Sequence, residues 1–500
     1  MSVKFQIFRN GKKSTIFHPL APLTMGPESV PIPGSIRFKD ETLTIDREDE
    51  HPVGLSLLWD LGPLGEFQLE TTRLSRRAKP YNLNVELARH RLMKIVQKQE
   101  DWNLFDFPKT DKFMVRFRET QGLLADALGH LDQPDEAALL ADQSLTMSVD
   151  LSEQLAQFHA DLLMNRRRAA GQFGKLVIGV RVDSDVRNQR YKDTAASQFD
   201  FVLVPMPWRQ MQPEEATFQT ESVDEWIEEM NRKRIPVVTG PLIHLAEPDV
   251  PDWMFIWEHD YDTLREMCYQ YVQKIVQRYR KGVSVWNVVA GLNANRNFPL
   301  SFEQMIELTR LLITQVKSML PQARTLVTVT HSFGEYHARF PGTVPPMLYA
   351  EMVAQAGIHF DGFGVELEMG TPTDGSFTRD LFQLSSMLDH FSALGRPVFL
   401  TLGVPGRSTP DPGDTSSGKL DPSAAGRWHR PWDPDLQAEW IESAYQIALS
   451  KPFVEAVIWS NLADVNQSLP AGGLLDDMLQ PKPSMRRLAD LREKLQPWRK

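Results

Sequence analysis

The stretch Val283-Ser-Val-Trp-Asn-Val-Val-Ala-Gly291 is a short apolar run that ends at a glycine. Such a run is typical of a strand that is buried on both faces. Amphipathic helical segments flank it at 261–280 and 302–319. Because helix, strand and helix follow one another here, the stretch predicts one unit of a parallel sheet covered by helices.

The same alternation runs through the chain from Gly171 onward. Apolar strands are predicted near 175–181, 199–205, 235–239, 283–289, 325–330, 360–367, 397–403 and 454–460. Further helical segments are predicted at 222–233, 346–356, 378–394 and 436–449. Eight strands alternating with helices predict a (β/α)8 barrel, the TIM barrel, whose active site lies at the carboxyl ends of its strands.

The part of the chain before the predicted barrel has two patterns. Residues 1–82 hold short alternating runs separated by Gly, Pro and Asp turns, which predict a small β-sandwich, one candidate role of which is carbohydrate binding. Residues 83–170 change to a helical period and predict a helical connector. The predicted domains are therefore 1–82, 83–170 and 171–500, in line with a chain of 500 residues.

Composition excludes several classes of function. The formal net charge is −10 and is spread along the chain, which argues against a nucleic-acid partner. The basic run Arg166-Arg167-Arg168 is interpreted as a charge complement at a helix C-terminus. Cys268 is the only cysteine, so neither an internal disulfide nor a cysteine zinc site is expected. No ligand motif predicts a metal or another cofactor.

The N-terminus lacks the apolar core of a signal peptide, and no apolar run is long enough to span a bilayer. Taken literally, the sequence predicts a cytoplasmic protein with no membrane partner. The oligomeric state stays open.

Several segments resemble the glycoside hydrolases of family 10, the xylanase family. Trp286, Val288 and Val289 match the family's W-D-V-V-N-E, and Asp361-Gly-Phe-Gly-Val-Glu-Leu-Glu368 resembles its D-G-I-G-x-Q-x-H. The most specific match is at the end of the chain, where the resembling segments are Ile458-Trp459, Gly473-Leu-Leu-Asp476 and Gln480-Pro-Lys-Pro483. The resemblance covers roughly 171–495, and it implies the same barrel and a carbohydrate ligand.

The two glutamates that the resemblance implies for catalysis are missing. The family's acid/base Glu falls on Gly291, and its nucleophile, in I-T-E-L-D, falls on Leu402 of Leu400-Thr-Leu-Gly-Val404, or on a neighbour that is equally inert. Retaining hydrolysis needs two carboxyl groups about 5–5.5 Å apart. The family mechanism therefore does not transfer to these positions.

Glu366 and Glu368 are the predicted replacements. Residues two apart on a strand face the same way, so both should point into the barrel mouth, with about 6.5–7 Å of rise between them. Two neighbouring carboxyls repel, which raises one pKa and suits an acid paired with a base. The alternative is that one of them pairs with an arginine and only fills space. Other acids near predicted strand ends are interpreted mainly as loop caps: Asp183, Asp185, Glu247, Asp249, Glu335 and Asp464.

Aromatic side chains indicate sugar binding more directly. A Trp face offers an apolar surface to a pyranose ring. Trp459 resembles the family's sugar-stacking Trp, and Trp208, Trp253 and Trp286 also fall near predicted strand ends. Packing within the barrel is the alternative for Trp208 and Trp286. Two polar residues complete this predicted set, Asn287 at the family's Asp position and His331.

A long connection follows the predicted strand at 397–403, from Pro405 to Asp433, and it is rich in Pro, Gly, Ser and Asp. Long loops in compact domains are often functional lids. Arg427, Trp428, Arg430 and Trp432 lie near its end, so we expect the loop to close over an anionic sugar or to pair with Glu366 and Glu368.

The sequence therefore predicts a carbohydrate-active protein, a glycosidase with relocated catalytic carboxylates whose partner is an oligo- or polysaccharide. The alternative is a catalytically inactive glycan-binding pseudoenzyme on the same barrel. A structural or protein-interaction scaffold is the third candidate, and it would bind no glycan.

Overall fold

The computed structural model describes residues 2–104, 111–246, 248–410, 421–465 and 469–498. The first part of the chain is built mainly on two sheets, in line with the predicted β-sandwich. Its strands are β1 (Ser2–Gln6), β2 (Phe8–Arg9), β3 (Lys12–Lys13), β4 (Leu23–Met25), β5 (Pro31–Ile32), β6 (Ser35–Lys39), β7 (Thr42–Asp46), β8 (Gly54–Asp60), β9 (Gly65–Glu70) and β10 (Tyr81–Asn82). One sheet has the order β10-β1-β7-β6, and the other contains β9-β8-β4-β5. Phe5 and Leu43 of the first sheet share a core with Leu57 and Phe67 of the second.

Three helices follow, where the helical connector was predicted: α1 (Leu83–Asp101), α2 (Lys112–Gly129) and α3 (Pro134–Ala169). The predicted basic run lies in the last turn of α3. Its middle residue, Arg167, is buried and donates hydrogen bonds to the carbonyl oxygens of Leu449 (2.7 Å) and Lys451 (2.8 Å). Arg167 therefore fastens the end of α3 to the barrel.

The predicted barrel is confirmed, and all eight predicted strands are present. They are β11 (Ile178–Arg181), β12 (Phe201–Val204), β13 (Val237–Thr239) with its extension β14 (Ile243–His244), β15 (Val285–Ala290), β16 (Arg324–Val329), β17 (Gly362–Glu368), β18 (Val398–Gly403) and, after the short β19 (Arg427–Trp428), β20 (Val454–Trp459). All pairings are parallel, and β13 pairs with β15 to close the ring. An apolar cluster that includes Val238, Leu326, Phe399 and Ile458 fills its interior.

Helices cover the outside of the barrel near the predicted positions. They are α4 (Gln189–Gln198), α5 (Trp208–Met211), α6 (Glu221–Arg232), α7 (Tyr261–Tyr279), α8 (Phe302–Met319), α9 (Pro346–Gln355), α10 (Leu381–Ser392), α11 (Pro434–Ser450) and α12 (Pro483–Leu495). Within the described ranges, no helix has both the length and the apolar character needed to cross a bilayer.

The N-terminal region is joined to the barrel by main-chain hydrogen bonds. Strand β19 comes from the long loop after β18, yet it pairs antiparallel with β9 at the edge of the second sheet. Gly65 permits this approach, because a Cβ there would lie 2.3 Å from the carbonyl oxygen of Arg427. The backbone N–H of Gln68 also donates to the carbonyl oxygen of Thr378, in the loop after β17 (3.1 Å). The second sheet therefore holds two loops of the barrel's carboxyl end.

A buried charge cluster joins the helical connector to the barrel. Asp389 of α10 accepts hydrogen bonds from Lys98 Nζ (3.0 Å) and Trp102 Nε1 (2.8 Å) of the α1 region. It also accepts one from Lys451 Nζ after α11 (2.6 Å). One carboxylate thus contacts two ammonium groups in a water-poor interface, and Asp101 is a second partner of Lys98 at 3.3 Å.

Replacing Asp389 with Asn should lower the free energy of unfolding by about 2–3 kcal/mol, because the buried Lys451 loses the carboxylate that it pairs with and Lys98 keeps only the more exposed Asp101. Urea denaturation measures the change. Asp262→Asn is the control: that carboxylate is 83% exposed, so its loss should change stability by no more than about 0.5 kcal/mol. Equal effects of the two substitutions would contradict the role given to Asp389.

Candidate functional site

A cavity of about 550 Å³ opens at the carboxyl ends of the barrel strands. Its floor is apolar and includes Leu326, Phe399 and Ile458 from the barrel interior. Its wall is polar and includes the side chains of Arg181, Asp183, Asp185, His244, Asp249, Glu366 and Asn461. The cavity lies where a (β/α)8 barrel places its active site.

Glu366 and Glu368 face the barrel interior, as the strand period predicted. Val365 and Leu367 alternate with them and pack in the large core outside the strands. The two carboxylates differ in their partners. Glu368 forms an ion pair with Arg181 of β11 (Nη2 to Oε1, 2.6 Å), and Arg181 Nε donates to the carbonyl oxygen of Ser460 (2.7 Å). Glu368 is therefore held by an arginine, the alternative that the sequence left open.

Glu366 borders the cavity directly. In the part of the chain that the structure describes, its carboxyl group receives no hydrogen bond. Burial raises the pKa of Glu366, and the charges of Glu368 and Asp249 raise it further, while Arg181 and His244 act in the opposite direction. The net shift is upward, so Glu366 holds its proton to a higher pH than an ordinary glutamate.

His244 and Asp249 form a hydrogen-bonded pair beside Glu366. Nδ1 of His244 donates a hydrogen bond to Oδ2 of Asp249, and the two atoms are 2.5 Å apart. Burial would lower the pKa of His244, but the hydrogen bond and charge of Asp249, with the charge of Glu366, raise it overall. The imidazole therefore keeps its second proton to a higher pH than an ordinary histidine.

The His244 ring also occupies the space of the missing acid/base residue. Gly291 begins the loop after β15 with a left-handed φ of 66°. A Cβ at Gly291 would lie 2.6 Å from Nε2 of His244 and 3.1 Å from Oγ1 of Thr330. Backbone and neighbours both exclude a larger side chain here.

The sequence left open whether Leu402 or a neighbouring residue corresponds to the family nucleophile. Leu402 is fully buried and packs in the core outside the strands, because side chains alternate along β18. Thr401 lines the cavity, so the inward positions are Thr401, opposite Glu366 in register, and Gly403, opposite Glu368. Neither Thr401 nor Gly403 carries a carboxylate, so the inward positions at the end of β18 hold no carboxylate nucleophile.

The predicted tryptophans separate into two groups. Trp208 lines the cavity, although its ring is stacked on Tyr271 at 4.7 Å and is nearly inaccessible. Trp253 is half-buried and packs edge-on against Trp208. Trp286 and Trp459 are completely buried. The structure therefore places these last two in packing positions, where no sugar face can reach them.

The surroundings of Trp459 explain why its ring is not available to stack on a sugar. Its Nε1 donates to the carbonyl oxygen of Gly472 (2.9 Å), and its ring packs against Trp440 of α11. Asn287 does line the cavity, and its Oδ1 accepts a hydrogen bond from the Thr328 hydroxyl (2.9 Å). His331 does not line it, and its ring instead packs edge-on against Tyr336.

In its described part, the loop after β18 does not place Arg427 or Arg430 among the residues that line the cavity, contrary to the expectation. Residues 411–420 lie outside the described residues. In the described part, Arg427 in β19 pairs with Asp60 of the N-terminal region at 2.8 Å. Arg430 pairs with Glu439 of α11 at 3.0 Å. Both cations therefore pair with carboxylates other than Glu366 and Glu368, which corrects the expectation that they form a cationic lid.

The aromatic residues of this loop are anchors. Trp428 is buried, and its Nε1 donates to Oε1 of Glu153 in α3 (2.9 Å). Trp432 is also buried, and a Cβ on Gly370 would lie 3.3 Å from its Nε1. Both rings attach the loop to its neighbours.

The remaining acids have partners of different kinds. Asp183 accepts a hydrogen bond from the backbone N–H of Asp185 (2.9 Å), and both side chains line the cavity. Glu335 forms a buried ion pair with an arginine, and Asp464 pairs with a lysine. Glu247 lies outside the described residues. Among the described residues, no group of three or more His, Cys, Asp and Glu side chains could hold a metal ion.

Sequence reasoning missed Arg181 and the role of His244. Arg181 is the last residue of β11, and His244 follows β13, so both stand where barrel enzymes place functional groups. That position was the available signal. Their partners, Glu368 and Asp249, could not be assigned without the three-dimensional structure.

Residues 165–301 match the family model of Glycosyl hydrolase family 10. This match extends through β15 and confirms the predicted family-10-like barrel. No curated protein gives a significant match.

Solved structures similar to this chain include xylanase 10B from Thermotoga maritima, with 15% identity and a TM-score of 0.47 over 66% of this chain and 99% of that one. An intracellular xylanase from Thermoanaerobacterium saccharolyticum is similar with 16% identity and a TM-score of 0.44 over 63% and 96% of the two chains. Identities at this level carry no information about the ligand of this chain.

Substituting Gly291 tests the filled acid/base position. In Gly291→Ala, the left-handed backbone alone should lower the free energy of unfolding by about 1–2 kcal/mol. The contact between the new methyl group and His244 should lower it further. Gly357→Ala is the matched control, since Gly357 has a φ of 70° but open space around a Cβ. Chemical denaturation of both variants measures the difference. Equal losses would show that His244 does not fill the site.

Proposed function

We propose that this glycoside-hydrolase-like barrel binds a carbohydrate in the cavity at its mouth without hydrolysing it. One observation carries the proposal: the ring of His244 occupies the space where a side chain at position 291 would project. A catalytic carboxylate at Gly291 has no room, and a ligand must meet the His244–Asp249 pair in its place.

The state of the other carboxylates supports the same proposal. Retaining hydrolysis requires an acid and a nucleophile about 5–5.5 Å apart. The inward residues at the end of β18 are Thr401 and Gly403, which supply no nucleophile. For the predicted pair Glu366 and Glu368 to act together, the 2.6 Å ion pair between Glu368 and Arg181 would have to open.

The cavity retains groups that suit sugar hydroxyls. Glu366 can donate from its protonated form or accept from its ionised form. Asn461 lines the cavity, and within the described residues its buried Nδ2 has no hydrogen-bond partner. Because an unsatisfied buried donor is costly, a ligand oxygen there would be favourable. The apolar floor formed by Leu326, Phe399 and Ile458 suits the C–H face of a sugar ring.

A second candidate, hydrolysis with relocated carboxylates, is favoured by the raised pKa of Glu366. In this candidate Glu366 protonates the leaving oxygen, and the carboxylate of Asp249 accepts a proton from the attacking water molecule. Activity would then fall as the pH rises through the pKa of Glu366, because the acid form is lost.

Two assays on the same purified protein separate these candidates: binding of neutral and charged oligosaccharides by calorimetry, and reducing-end release from the same panel. We expect binding without release, and about tenfold weaker binding in Glu366→Gln if one hydrogen bond is lost. Glu351→Gln, at an exposed site on α9, is the control and should bind like the wild type.

Release that falls at least 10²-fold in Glu366→Gln would instead establish hydrolysis, since that loss is typical of a missing general acid. If no oligosaccharide binds, the protein is the scaffold of the third candidate and the proposal fails.

A further inference from the structure

The wall of the cavity has more carboxylates than cations. Among the described lining residues, the two cationic groups already have carboxylate partners, Arg181 in Glu368 and His244 in Asp249. Carboxyl groups outnumber cationic groups in this described part of the lining. The carboxylates that line the cavity are Asp183, Asp185, Asp249 and Glu366.

We propose that the ligand of this cavity is an amine-bearing carbohydrate, an amino sugar with a free ammonium group, in preference to a neutral or anionic sugar. This inference rests on the proposed carbohydrate binding and specifies the class of ligand. Glu366 is the expected partner of the ammonium group, because no described protein group donates a hydrogen bond to its carboxyl and it borders the cavity.

Charge explains the preference on physical grounds. An ammonium group brings three donors and a positive charge into a site where burial has made the ionised form of Glu366 unfavourable. Their pairing relieves that cost, as it does for other partly buried ion pairs. A uronate or sulfate would instead face like charges, which disfavours binding.

The arginines that would have favoured an anionic sugar are engaged elsewhere. Arg427 pairs with Asp60 and Glu66 of the N-terminal region, and Arg430 pairs with Asp433 and Glu439. They therefore take part in contacts that hold the loop, and neither lines the cavity.

Three ligands that differ only at carbon 2 test the inference: short β-1,4-linked oligomers of glucosamine, N-acetylglucosamine and glucose. Isothermal titration calorimetry with the full chain should show the glucosamine oligomer binding at least about tenfold tighter than the other two at low salt. Raising the salt to about 0.5 M should reduce this advantage, since salt screens charge pairs.

Variants locate the effect in the cavity. Glu366→Gln and Asp185→Asn should each reduce the preference for glucosamine several-fold, whereas Glu351→Gln on α9 should leave it unchanged. Asp185 is exposed, so its substitution should not disturb folding, and urea denaturation checks both variants.

Each other outcome has a distinct meaning. Equal or tighter binding of the glucose oligomer would overturn the preference for an amine and leave the proposed carbohydrate binding intact. A glucosamine preference that survives in both cavity variants would show general attraction to an acidic protein, and it would overturn the inference. Absence of binding by all three oligomers, together with the wider panel, would overturn both proposals.

Discussion

Closure of the barrel is the constraint on which the rest of the structure depends. Pairing of β13 with β15 completes a ring of eight parallel strands, so each strand has one face toward the interior and one toward the helices. This alternation decides which side chains can meet. It brings Glu366 and Glu368 to the same interior as Arg181, and it turns Leu402 away from it. The chemistry at the barrel mouth therefore depends on which face of its strand each side chain occupies, as well as on the residue type.

Local patterns were sufficient to predict the architecture, because apolar runs and helical periods are properties of short segments. All eight barrel strands were placed to within a few residues. The inward direction of Glu366 and Glu368 also followed from the period of a strand. Their different environments did not, since the 2.6 Å contact between Arg181 and Glu368 joins residues on β11 and β17, which are far apart in the chain.

The misplaced predictions share a physical cause. Trp459, Trp428 and Trp432 were expected at a ligand surface because tryptophan suits both sugar stacking and core packing. The choice between these uses depends on the neighbouring residues. Here Trp459 donates a hydrogen bond to Gly472, Trp428 donates one to Glu153, and Trp432 is buried within the packed loops. The side chain of His244 presents the reverse case. It fills the space above Gly291, which the sequence alone marks only as an absent carboxylate.

The pairing of β19 with β9 bears on the modularity of this protein. A barrel excised near Gly171 would leave β19 with an unpaired edge, and Trp428 would lose the carboxylate of Glu153. Unpaired strand edges are sites where other chains can add. The N-terminal region thus stabilises one of the barrel's own loops. Recombining this barrel with other accessory domains, as in a modular enzyme, would require a replacement for that shared edge.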